Sequence, residues 1–504
     1  MSRSHRALAG GAVLALQAIV RIGTTILVAP LLVRFEGQET LGAYSVVLQL
    51  ISYLVLLELG LSRALSREIA QLSGGADSGE TLSRVIGTSA LFLLGIGATV
   101  MVLTLLLAQF LPLWFAAKAD VISSARSALL IIAAWMFFKF PLSLFNVFLF
   151  ARQRIALYGA IALSGDLLRA FLSVGLVWSG YGLLGLATAM VVCEALMSIA
   201  SWYLSRYEWR ALLKASFDVD VLRRLLAIGL PLSLMSLGDQ LTFHSQDLMA
   251  GLLMGAGGAA TIYAMRMPGF TAASVVWRMI ESAVPGLNDL RGRGATEALR
   301  SAHHRLTSYV LGAGVWLASG ICAFNRPLVE AWVGADLYQT GGVTAGIAFF
   351  MLVGTFNAVL THFLTVEGNL THYPLVVVFA GLVTLVLGLG FGQYFGLSGV
   401  VWGAALGVLV TTPFLVRRNA LLLGAKTWPM IAGIVSRGFR CAGLGVAACA
   451  GYGLARELGM TVPWTIGLGL SMIVGAFGYI AFGLLPQDRS TLIRWLTGTS
   501  HAVR

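Results

Sequence analysis

The chain has 504 residues, of which 58% are hydrophobic and 11% are charged, and its net charge is +12. A soluble protein carries roughly 25% charged residues, so these few charges cannot cover a water-exposed globular surface. The composition therefore predicts an all-α polytopic membrane protein. Basic residues lie in short loops between apolar runs, which argues against nucleic-acid binding. The four cysteines lie in or beside apolar segments without metal-ligand spacing, and we interpret them as packing residues.

Fourteen apolar runs are long enough to cross a bilayer, which takes about 20 residues each. The first run extends from Ala7 to Val33 and carries Arg21 near its centre, where a guanidinium costs at least ~2.5 kcal/mol on insertion scales. This run is too long and too polar for the apolar region of a cleavable signal. The other thirteen runs begin near Thr40, Leu82, Ala125, Ala156, Leu183, Leu225, Thr261, Leu306, Gly342, Pro374, Gly399, Met430 and Val462.

Basic residues are concentrated on one side of these runs. If the N-terminus is cytoplasmic, the cytoplasmic loops and tails carry 22 Lys and Arg residues and the opposite side carries five. The positive-inside rule then predicts that both termini are cytoplasmic. The loops are also too short to form the extramembrane catalytic region of a membrane-bound sugar transferase, so we predict that the chain is not an enzyme.

Two pairs of similar segments indicate an internal repeat. The segment that starts at Gly175 resembles the one that starts at Gly390, with Gly182 aligned on Gly396, and a weaker pair aligns Tyr44 near Tyr263. Chance similarity of glycine-rich turns is the alternative. Parallel repeats are a known transporter plan, with the substrate site between the halves. The repeat predicts a six-helix lobe at 7–206, a cytoplasmic linker at 207–224, a second six-helix lobe at 225–423, two additional transmembrane helices at 424–486 and a cytoplasmic tail at 487–504.

Several cations within the spans have no acid within one helical turn. Arg21, Lys139 and Arg266 are of this kind, and we interpret them as candidates for binding an anionic group such as a pyrophosphate, which Arg grips with two hydrogen bonds. The alternative is pairing with acids on other helices, namely Glu58, Glu194 or Asp239.

Two other charge pairs have a spacing that places both members on one helix face. Asp166 and Arg169 are three residues apart in the fifth span, and Arg278 and Glu281 are three apart in the eighth. We interpret both as structural intramembrane pairs.

The seventh span carries a polar stripe. Gln240, His244 and Asp247 follow the i, i+4, i+7 pattern, and Asp239 lies beside them. Such a stripe is expected to line water rather than lipid, so Asp239, His244 and Asp247, with Glu58 of the second span, are candidates for a cavity or for ion coupling. The alternative is polar contact between helices.

The order of several short motifs resembles a known family. Gly37 to Gly42 form a Gly-x-x-x-Leu-Gly turn, LLELGL follows at Leu56 to Leu61, and RPLVEAWVGAD extends from Arg326 to Asp336. GLPLSLMSLGDQ and AVPGLNDL open the seventh and close the eighth span. Over most of residues 7–423 the chain resembles Wzx-type polysaccharide flippases of the multidrug/oligosaccharidyl-lipid/polysaccharide (MOP) exporter superfamily.

This resemblance implies a two-lobed bundle that works by alternating access in the bacterial inner membrane. It also implies a polyprenyl-pyrophosphate-linked oligosaccharide as cargo, with a polysaccharide polymerase and glycosyltransferases as candidate partners. No cofactor or metal is expected, and transport is expected to couple to H⁺ or Na⁺. A cation-coupled multidrug exporter of the same superfamily and a lipid II flippase are the alternatives.

Overall fold

The computed structural model describes residues 3–72, 78–152, 154–205, 217–367, 372–485 and 488–490, and this part of the chain is helical without strands. The chain divides into two compact units, Met1–Ala260 and Thr261–Arg504. The predicted lobe boundaries stay a prediction, and most of the predicted linker, residues 206–216, lies outside the described residues.

The N-terminal unit is a bundle in which long helices pack side by side. Helix α1 packs along α6, α6 along α7, and α5 along both α4 and α7. The helices of this unit are α1 (Arg3–Glu36), α2 (Gln38–Val55), α3 (Leu61–Leu72), α4 (Ser78–Trp114), α5 (Ala119–Ala151), α6 (Ile155–Trp178), α7 (Gly182–Leu204), α8 (Val219–Phe243) and the beginning of α9 (Gln246–Gly292).

The C-terminal unit is a second bundle. The helix α10 packs against α11 and α13, α11 packs against α12, and α13 packs against α14. After the remainder of α9, this unit contains α10 (Thr296–Val333), α11 (Gly341–Glu367), α12 (Tyr373–Leu422), α13 (Thr427–Glu457) and α14 (Trp464–Gly478).

The helices account for the predicted membrane spans. Among the described residues, twelve segments are long and apolar enough to cross a membrane. The helix α1 contains the first predicted run, and α12 bends at Gly396 and contains both the eleventh and the twelfth run. The all-α polytopic fold is therefore confirmed.

The LLELGL motif lies at the end of the second span. The residues Leu59 and Gly60 have φ values of 56° and 67°, so α2 ends and α3 begins at Leu61. Any side chain at Gly60 would overlap the backbone of Gly229 on α8. The Glu58 carboxylate accepts a hydrogen bond from the Ser62 backbone N–H at 3.0 Å, which caps the new helix. The motif thus forms the turn that ends the span, with a structural contact for Glu58 that the sequence did not predict.

The stronger repeat pair has the same turn in both copies. Gly182 and Gly396 have φ values of 43° and 62°, a conformation that glycine adopts at little cost. Three residues later, Gly185 and Gly399 have no room for a side chain, because a Cβ would meet Leu176 and the Phe391 backbone respectively. The aligned glycines therefore close equivalent helical hairpins.

We expect Gly399→Ala to destabilise the protein by about 1–3 kcal/mol, because the added methyl group would force apart the two arms of the α12 hairpin. Gly390→Ala is the matched control on the same helix, since a Cβ there meets nothing within 4 Å. Thermal unfolding in detergent should show a lower midpoint for Gly399→Ala alone. Equal midpoints for the two variants would contradict the packing argument.

Candidate functional site

The N-terminal unit brings a deep acid and a deep cation together across two helices. The Asp166 side chain is 3% exposed and accepts hydrogen bonds from Arg21 Nε and Gln17 Nε2, both at 2.8 Å. Arg21 lies on α1 and Asp166 lies on α6, and these helices pack along each other. Arg21 therefore has an acidic partner on another helix, but this partner is Asp166 and not one of the acids that the alternative interpretation named.

A second acid, Glu194 on α7, has three donors around it. The Lys139 ammonium lies 3.0 Å from Glu194 Oε2 and 3.3 Å from Oε1. The Trp135 indole donates to Oε2 at 2.8 Å, and Arg169 Nη2 lies 3.7 Å from Oε1. Lys139 therefore has the partner that the alternative interpretation named. Trp135 and Gln17 were missed from the sequence, although Trp135 precedes Lys139 by one helical turn on α5.

Neither of the predicted local pairs forms. Asp166 binds Arg21 and Arg169 faces Glu194, because neighbouring helices present these partners to the same face of α6. Arg278 and Glu281 are both exposed, and the structure places no salt bridge between these two described residues.

The two acids and their cations form one neighbourhood. The Cys193 thiol interacts electrostatically with Arg169, Asp166 and Glu194. Among the residues that the structure describes, the neighbourhood holds three cations, Arg21, Lys139 and Arg169, and two carboxylates, which leaves a formal excess of one positive charge. Each of these ionised residues lies roughly two turns or more from both ends of its helix, so the excess charge lies deep in the spans.

Some N–H donors in this neighbourhood make no hydrogen bond to the two carboxylates. Arg169 makes no hydrogen bond within the described residues, and its Nε is buried without a partner. The Arg21 side chain is 62% exposed and uses Nε for Asp166, which leaves its terminal nitrogens accessible. A guanidinium has five N–H donors in a planar fork that suits carboxylate and phosphate. The arrangement can therefore accept an additional anionic group.

The predicted stripe on the seventh span is interrupted. The helix α8 ends at Phe243 and α9 begins at Gln246, so Gln240, His244 and Asp247 do not follow one continuous helical face. Asp247 is 2% exposed and Asp239 is exposed. Their roles in a cavity or in ion coupling stay predictions.

A buried polar cluster surrounds this break. The Tyr53 hydroxyl donates to the Gln240 carbonyl at 3.3 Å, and side-chain atoms of Gln49, Gln240 and Gln246 are buried without hydrogen-bond partners. Among the described residues, no three His, Cys, Asp or Glu side chains come together as a metal-binding group.

Arg266 lies at the start of the C-terminal unit. It is 3% exposed, and its guanidinium carbon lies 5.4 Å from the ring centroid of Phe270, one turn later on α9. This is a cation–π contact. The predicted substrate contact of Arg266 stays a prediction.

We expect Asp166→Asn to lower the free energy of unfolding by about 1–3 kcal/mol, because a neutral amide is a weaker acceptor for the charged Arg21 donor at a nearly buried position. Asp220→Asn is the control, since Asp220 pairs with Arg223 at the surface with 79% of each side chain exposed, where such pairs contribute little. Thermal unfolding of both purified variants checks the prediction, and an unchanged midpoint for Asp166→Asn would refute it.

Comparison with known proteins identifies the family. Residues 7–290, which include the whole charged neighbourhood, match the family described as polysaccharide biosynthesis protein. A comparison with curated protein sequences finds no match.

Several solved transporter structures share the fold. The lipid II flippase MurJ in an inward closed conformation has a TM-score of 0.68 at 13% identity, over 97% of this chain and 99% of that one. An inward-facing multidrug resistance MATE transporter of the MOP superfamily has a TM-score of 0.65 at 18% identity, over 81% of this chain and 99% of that one. A MOP superfamily transporter from Pyrococcus furiosus, described as having a binding pocket of reverse polarity, has a TM-score of 0.57 at 18% identity over 83% and 97%.

The matched structures are those of transporters and a flippase, and this chain shares their fold. The family match confirms the resemblance found in the sequence. The chain belongs to the family of polysaccharide biosynthesis proteins and has the fold of the MOP superfamily.

Proposed function

We propose that the chain is a flippase that moves a polyprenyl-pyrophosphate-linked oligosaccharide across the bacterial inner membrane by alternating access. The observation that carries this proposal is the excess positive charge deep in the N-terminal unit, where Arg21, Lys139 and Arg169 face two carboxylates among the described residues. Membership of the polysaccharide biosynthesis family supports the saccharide part of the cargo.

A pyrophosphate suits this site for electrostatic reasons. Its charge needs cationic partners when it leaves water, because an isolated ion pays several kcal/mol on entering an apolar region. Two guanidinium groups and an ammonium offer charge-assisted hydrogen bonds, which are about twice as strong as neutral ones. An excess of positive charge repels a cationic drug at the same position, so the site favours an anionic cargo over the multidrug alternative.

The remaining parts of the proposal concern coupling and location. Asp239, His244 and Asp247 near the end of α8 are our candidates for coupling to H⁺ or Na⁺, and Arg266 is a candidate second contact for the cargo. The charge asymmetry of the loops supports cytoplasmic termini. Glycosyltransferases would supply such a cargo and a polymerase would consume it.

We expect Lys139→Ala and Arg169→Ala each to reduce polysaccharide export by about tenfold or more, the equivalent of ~1.4 kcal/mol of lost binding. The control is Arg223→Ala, which removes a cation from an exposed position. Export is measured in a host that lacks its own flippase, with protein abundance checked by immunoblot.

A double variant separates a cargo contact from a structural role. In Lys139→Ala/Glu194→Ala, the acid and its nearest cation are removed together, so the loss of Lys139 leaves no carboxylate without its partner. If Lys139 contacts cargo, export stays low in the double variant at normal abundance. Recovered export would assign Lys139 a structural role, and export unchanged in both single variants, with raised host resistance to cationic dyes, would favour the multidrug exporter.

A further inference from the structure

Donors from two helices converge on one acid, Glu194. Trp135 and Lys139 are one turn apart on α5, and Arg169 approaches from α6. An indole N–H, an ammonium and a guanidinium arranged in this way form the type of donor set that binds an oxygen of a phosphate group. Within the described residues, the acceptor that occupies this donor set is the protein's own carboxylate.

The hold of this donor set on Glu194 is incomplete. Arg169 Nη2 lies 3.7 Å from the carboxylate, which is beyond hydrogen-bond distance. Its Nε is buried and makes no hydrogen bond. A permanent structural salt bridge would be expected to use these donors, since leaving a buried donor unmade costs free energy. Arg169 is therefore placed for an acceptor that is larger than one carboxylate, or that comes closer.

The Glu194 side chain is partly accessible. The Glu194 side chain is 18% exposed, and those of Lys139 and Arg169 are 26% and 28% exposed. By contrast the Asp166 side chain, which accepts hydrogen bonds from Arg21 and Gln17, is 3% exposed. Of the two acids, Glu194 is thus the more accessible. It is also the acid beside Arg169, whose guanidinium it does not hydrogen-bond.

From these contacts we infer that Glu194 is a displaceable counter-ion, which occupies the position of a phosphate oxygen between Lys139, Arg169 and Trp135 until an anionic cargo group replaces it. This inference rests on the proposed function and names the residue that competes with the cargo. When no cargo is bound, Glu194 pairs with cations that would otherwise lie unpaired deep in the bilayer, at a high cost in free energy. It also weakens binding of the cargo and so favours release.

The test compares anion affinity between variants of the full-length protein in lipid nanodiscs. Calorimetric titration with farnesyl pyrophosphate should show binding that is at least about tenfold tighter in Glu194→Gln, since the amide still accepts from Trp135 but no longer competes as an anion. Glu330→Gln is the control, because it neutralises an acid that pairs with Arg326 on α10 and should leave the affinity unchanged. Export by Glu194→Gln should nevertheless fall, since release becomes slow.

A second variant covers the case in which Glu194→Gln does not fold, as judged by gel filtration and thermal unfolding. Glu194→Asp keeps the charge on a shorter side chain, and it should compete less well and bind the probe more tightly than the natural chain. The inference is overturned if each Glu194 variant that folds binds farnesyl pyrophosphate no more tightly than the natural chain does. It is also overturned if no folded Glu194 variant binds the probe. If Lys139→Ala and Arg169→Ala bind farnesyl pyrophosphate more weakly than the natural chain in that case, the proposed function stands. If these two variants bind the probe as tightly as the natural chain, the proposed function fails as well.

Discussion

A charge in the middle of a membrane-spanning helix is stable only where other groups of the protein match it, because the hydrocarbon core provides no water to solvate it. The N-terminal unit meets this constraint through contacts between helices. Arg21 on α1 is matched by Asp166 on α6, and Lys139 on α5 is matched by Glu194 on α7. These contacts join faces of α1, α5, α6 and α7, so the packing of these helices and the chemistry of the site involve the same few side chains.

The span pattern of the fold could be read from the sequence, because length and hydropathy report directly on bilayer crossing. The hairpin turns could also be predicted, since glycine at Gly182 and Gly396 tolerates a positive φ that other residues avoid. Both signals are local. They depend on a run of residues or on one backbone conformation, and the rest of the chain has little influence on either.

The charge partners could not be read in the same way. Arg21 and Asp166 are 145 residues apart, and the spacing rule for one helix instead joined Asp166 to Arg169. That rule holds on an isolated helix, but the stronger acceptor or donor on a neighbouring helix decides the outcome in a packed bundle. The break between Phe243 and Gln246 was missed for a related reason, since the intervening His244 and Ser245 are not helix breakers.

The balance of three cations and two acids affects both how tightly the site binds an anion and how much unpaired charge remains when the site is empty. A site with equal numbers of cations and acids would have little affinity for an anion. A site without acids would hold unpaired cations whenever it is empty. Because a ligand shifts an equilibrium only by its differential affinity, the acids need to weaken cargo binding without abolishing it. One net charge satisfies both requirements, because the cargo gains an attraction that the empty site does not fully cancel. The anionic cargo that we propose and the cost of buried charge thus lead to the same composition of the site.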